Sequence, residues 1–81
     1  MNANDPKVIE LSFKVLESII LKCEDKDYDD IIKIAQIMNK NAQFGNYPEE
    51  VKLAYTEAIN KLHTLNQDQI NDLREMLKAE D

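Results

Sequence analysis

Phe44-Gly45-Asn46-Tyr47-Pro48-Glu49-Glu50 reads as one helix stopping and the next one starting. Gly45 is the only glycine in the chain, and glycine takes the left-handed conformation that ends many helices at little steric cost. Pro48 suits the first helical turn, where its missing N–H is not needed. Glu49 and Glu50 follow in that turn, where the helix dipole favours negative charge. With one glycine and two prolines in 81 residues, such punctuation is sparse, and it divides the chain into helices joined by short connections.

Working outward, Asp5-Pro6 supplies an N-cap followed by proline, so helix 1 is expected over about 6–23, with residues 1–4 frayed. Its apolar residues are Val8, Ile9, Leu11, Phe13, Val15, Leu16, Ile19, Ile20 and Cys23. On a wheel advancing about 100° per residue they cover roughly 200°. A stripe that wide needs more than one neighbour and puts helix 1 at the centre, with Leu21 outside the stripe. Helix 2, about 27–44, presents Tyr28, Ile31, Ile32, Ile34, Ala35, Met38 and Ala42. Helix 3, about 48–63, presents Val51, Ala54, Tyr55, Ala58, Ile59 and Leu62, with Leu53 pointing the other way. Helix 4, about 67–79, opens on a capping box of Asn66 and Gln69 and a hydrophobic staple of Leu65 with Ile70. Its apolar face continues through Leu73, Met76 and Leu77, while Asp68, Asp72, Arg74, Glu75 and Lys78 read as a charged outer face. The expectation is an all-α, antiparallel four-helix bundle forming a single domain.

Charge narrows the function. Sixteen acids against ten bases give a net charge of −6, which opposes nucleic-acid binding and adsorption to anionic lipid. The same balance suits a soluble protein or one that docks on a basic partner. Cys23 is the only cysteine, so no internal disulfide forms and a reducing, cytoplasmic location is expected. The apolar run Ser18-Ile19-Ile20-Leu21 is far too short to span a bilayer, so no membrane insertion is expected.

Few residues suggest chemistry. Asp25, Asp27 and Asp29 have the alternating spacing that opens an EF-hand loop. The sixth position is Asp30 where glycine is needed, and the twelfth is Gln36 where a bidentate glutamate is needed. These acids read instead as a solvated turn complementing the start of helix 2. His63, the only histidine, has no partners for a zinc site and suits the negative end of helix 3. Cys23 lies on the apolar face of helix 1 and reads as a buried structural thiol. The chain resembles an acyl carrier protein in size and acidity. Both serines, Ser12 and Ser18, nevertheless lie inside helix 1, and helix 2 starts with Asp27-Tyr28-Asp29-Asp30, not with the Asp-Ser-Leu that would carry a phosphopantetheine arm. No phosphate loop, dinucleotide fingerprint or nucleophile triad is present. The reading is a protein without catalytic, cofactor or metal sites.

What remains is surface. The candidate partner contacts are Phe44 and Tyr47 at the helix 2–3 junction, Leu53 on the outside of helix 3, His63 at its end, and Arg74 on helix 4, with Leu21 a lesser one. From helix 2 onward the order of features, Ile34-Ala35…Met38, the turn at Gly45, Val51…Ile59…Leu62, Thr64-Leu65-Asn66-Gln67-Asp68-Gln69, then Leu73 and Leu77, resembles the bacteriocin immunity proteins of the enterocin A type. That resemblance covers about half the chain and implies a small cytosolic four-helix bundle. It also implies that the protein protects a bacterium by acting on the bacteriocin-bound sugar transporter, with the region of helices 3 and 4 selecting the bacteriocin. Two other classes stand beside it: an acidic adaptor or inhibitor that blocks a basic, nucleic-acid-binding or nuclease partner, and a structural homodimer burying Leu53 and the helix 2–3 junction.

Overall fold

Asp5, Asp27 and Asn66 each set a helix start by giving a side-chain oxygen to an N–H that has no partner within its own helix. In the computed structural model, which describes residues 2–79, Asp5 Oδ1 accepts from Lys7 N–H at 3.0 Å and opens α1, Pro6–Lys22. Asp27 Oδ1 accepts from Asp30 N–H at 3.0 Å and opens α2, Tyr28–Phe44. That aspartate therefore serves as a cap, and the helix runs through the positions a calcium loop would occupy. α3 spans Glu49–His63. α4, Gln67–Ala79, starts on the expected capping box: Asn66 Oδ1 accepts from Gln69 N–H and Gln69 Oε1 accepts from Asn66 N–H, both at 2.9 Å. Ahead of α1, residues 2–4 belong to a turn in which Asp5 N–H donates to the Asn2 carbonyl; Met1 lies outside the described residues.

Two details at the α2–α3 junction correct the sequence expectation. Gly45 has φ −81° and ψ 175°, which is extended and open to any residue, so handedness is not its reason. Close approach is: a Cβ there would lie 2.7 Å and 2.8 Å from the Tyr47 ring and 3.0 Å from the Asn41 carbonyl oxygen. Pro48 is the N-cap of α3 and not its first helical residue, with extended backbone and its carbonyl accepting from Val51 and Lys52 N–H.

The four helices form an all-α bundle. α1 meets all three others, as its wide stripe predicts, and its most extensive contact is with α3. The two run in the same direction, with Lys7 paired to Glu50 at one end and Phe13 under Lys61 further along. Fully buried Ser12, Ala54 and Ala58 are small, which favours close approach of their helices. The Ser12 hydroxyl donates to the Ile9 carbonyl at 2.7 Å, so it is buried with its donor satisfied. α2 runs antiparallel to α3. Tyr28 hydroxyl donates to the Leu62 carbonyl at 3.0 Å, and Gln43 Nε2 donates to the Lys52 carbonyl at 2.8 Å. α4 lies along the C-terminal half of α1, and Tyr28 N–H donates to Gln67 Oε1 at 2.6 Å where three helix ends meet. The core centres on Leu16, Ile19, Ile20, Cys23, Ile31, Ala35, Ala58, Ile59, Leu62 and Ile70.

Three placements differ from the periodic reading. Ile9 and Phe13, at the edge of the α1 stripe, stay exposed because no neighbouring helix covers them. Met76, assigned to the inner face of α4, is 63 % exposed. Arg74, assigned to the outer face, is only 8 % exposed and sits under α4 against the end of α1. Leu21 is exposed, as expected.

Candidate functional site

The uncovered edge of α1 becomes one wall of a groove. Phe13, Leu16, Glu17 and Ile20 recur at helical spacing along α1. Leu73, Met76 and Leu77 do the same on α4, and Lys61 at the end of α3 with Thr64 and Leu65 in the α3–α4 turn close one end. The cavity is about 440 Å³, within the range of small binding clefts. Its floor is Leu16 and Ile20, both in the core, and its lip is Phe13, 49 % exposed, together with Met76. Flexible, polarizable methionine and an exposed aromatic are the side chains that adapt to apolar partners. Lys61 Nζ stands 5.1 Å from the centre of the Phe13 ring, a cation–π contact that holds the ring at the lip. Among the described residues neither Lys61 nor Glu17 forms an ion pair, so the groove offers one charge of each sign to an occupant.

The far end of α4 is tied down by polar contacts. Arg74 Nη2 donates to the Cys23 carbonyl at 3.1 Å and Nη1 to Asn71 Oδ1 at 3.3 Å, while the buried Nε has no partner. The guanidinium thus caps the C-terminus of α1, where the helix dipole favours a cation. Lys78 pairs with Glu24 beside it. Cys23 is buried, and desolvation pushes its thiol above the ordinary range, against a lowering by Arg74, Lys26 and Lys22. That holds it protonated at neutral pH, as a structural thiol and not a nucleophile.

The residues singled out by sequence do not converge on one site. Phe44, 83 % exposed, and Tyr47 stand together at the α2–α3 junction. Leu53 is half-buried on α3, and His63 is exposed at the opposite end of that helix. Arg74 belongs to the α1–α4 contact and is not available to a partner. Phe13 and Met76, the groove's lip, have the helical spacing of core residues yet are exposed. The excess width of the α1 stripe was the signal that some of it would stay uncovered. Among the described residues no cluster of histidine, cysteine and carboxylate is arranged to hold a metal ion, and no helix is long and apolar enough to cross a membrane. Comparison with protein-family models, with curated proteins and with solved structures finds no match.

Proposed function

We propose that this chain is a non-catalytic protein-binding domain that works by stoichiometric occlusion, specifically a bacteriocin immunity protein acting from the cytosolic side on a bacteriocin-bound sugar transporter. The observation that carries the reading is the open apolar groove of α1, the α3–α4 turn and α4. An apolar groove between helices suits the apolar face of a partner helix, which lays successive side chains into such a slot. Six of its ten lining residues come from the α3–α4 region, the region in which the enterocin A type of immunity protein selects its bacteriocin. The test is survival of sensitive bacteria expressing the chain, challenged with a bacteriocin panel. The wild type is expected to protect against at least one bacteriocin, and a Phe13→Ser/Met76→Ser chain of unchanged helicity is expected not to. Unchanged sensitivity across the panel contradicts the reading.

A second reading rests on a different feature. Asp25 in the α1–α2 turn and Asp29 and Asp30 in the first turn of α2 are exposed and unpaired among the described residues, a surface suited to blocking a basic partner. Binding of that kind weakens steeply as salt rises, and salt-insensitive binding removes it.

A further inference from the structure

The outer stripe of α2 has a composition unlike the rest of the molecule. Lys33, Ile37, Lys40 and Phe44 follow one another at intervals of four, three and four, so they form a single line along the helix. All four are exposed, Ile37 at 62 %. The Tyr47 ring folds back against Gly45, which extends the line past the helix end. From Ile31 to Pro48 the chain holds no carboxylate, although it carries sixteen acids in all. Among the described residues neither lysine is in an ion pair. The acids Asp29 and Asp30 sit in the first turn of α2. Phe44 is at the other end of its 17 residues, about 25 Å away at 1.5 Å per residue. Glu49 borders the stripe beyond Tyr47.

We propose that this stripe is a site at which the protein adsorbs to an anionic lipid surface, with Phe44, Ile37 and Tyr47 entering the headgroup layer and Lys33 and Lys40 lying on its negative charge. The stripe is an exposed helix face led by a protruding phenylalanine. A lipid interface accepts such a surface without needing a matching shape, and cationic side chains flanking aromatic and aliphatic ones are what it favours. The net charge of −6 does not oppose this at close range. Charges beyond about 8 Å are screened at physiological ionic strength. Asp29 and Asp30, four and three residues before Lys33, offset part of its charge, whereas Lys40 lies about 15 Å along the helix from Asp30, beyond their reach. Adsorption leaves the groove free, because its lining contains no α2 residue.

The test is sedimentation of the full chain with vesicles of phosphatidylglycerol and phosphatidylcholine, against vesicles of phosphatidylcholine alone. Binding is expected on the anionic vesicles only and is expected to fall with salt. Lys40→Gln weakens it roughly fivefold, Lys33→Gln by less because Asp29 and Asp30 stand one turn away, and Phe44→Ser roughly tenfold or more. Every substituted position is exposed, and circular dichroism checks that helicity is unchanged. The Phe13→Ser/Met76→Ser chain is expected to bind vesicles like the wild type, which separates this site from the groove. No binding at low salt, equal binding to both vesicle types, binding indifferent to the three α2 substitutions, or capture of polyglutamate in preference to vesicles would each overturn the proposal.

Discussion

Replacing Arg74 with alanine tests whether a buried cation holds α4 against α1. The guanidinium makes a hydrogen bond at 3.1 Å to the Cys23 carbonyl and is 8 % exposed. A hydrogen bond involving a charged group contributes about 1.5–3 kcal/mol. Alanine keeps Cβ, so two buried methylenes of the stem are lost, which adds about 1.6 kcal/mol at roughly 0.8 kcal/mol per methylene. Working against these, the substitution relieves a desolvated charge whose Nε lacks a partner, which offsets part of the loss. The net expectation is a destabilisation of about 3 kcal/mol, a large share of the roughly 4–12 kcal/mol typical of a domain this size. That corresponds to a fall in Tm of roughly 12–24 °C. Thermal and urea unfolding followed by circular dichroism read it directly. Arg74→Met keeps most of the stem and is expected to recover about half of the loss. An alanine variant within about 1 kcal/mol of wild type would refute the role assigned to Arg74. A methionine variant as stable as wild type would assign the whole effect to packing and none to the cap.

Three further outcomes follow from local geometry. Gly45→Ala is expected to cost about 1 kcal/mol because its Cβ meets the Tyr47 ring and the Asn41 carbonyl. In a Tyr47→Ala background that cost should shrink, and a double-mutant cycle by urea unfolding that shows no coupling removes the close-approach explanation. Asn66→Ala breaks one arm of the α4 capping box and should destabilise by about 1 kcal/mol in the same assay; no loss would mean that the box is not formed in solution. The Cys23 thiol has its pKa raised by burial. Its contribution is therefore fully present below the unfolded-state value and declines as pH rises past about 9, because the unfolded chain then releases the proton first. Unfolding titrations should show this alkaline decline weakened in Cys23→Ala, and identical slopes in the two proteins would contradict it.

The helix boundaries were legible because caps are local chemistry. Asp5 with Pro6, Asp27, and Asn66 with Gln69 each act within three residues, and periodicity fills in the helices between them. The central place of α1 followed from the breadth of its apolar stripe. Arg74 was not legible. A charged side chain on a helix reads as surface, and what buries it is a carbonyl 51 residues away in sequence. Gly45 was identified as a hinge between helices for the wrong reason, since the ring that requires a glycine comes from two residues further on and returns through space. The groove was only half visible. Phe13 and Met76 have core-like spacing, and their exposure depends on where α4 crosses α1, which helical periods within each segment do not encode. The α2 stripe could have been found by plotting Lys33, Ile37, Lys40 and Phe44 on one wheel, or by noting the run without acids from Ile31 to Pro48.

The most direct test of the function proposed for the groove is co-purification from bacteria treated with each member of a bacteriocin panel, comparing wild type with the Phe13→Ser/Met76→Ser protein and quantifying the sugar-transporter subunits retained. The account predicts that transporter is retained by the wild type only after bacteriocin treatment, and is lost with the groove variant at unchanged helicity. Equal retention by both proteins, or none by the wild type, would contradict it.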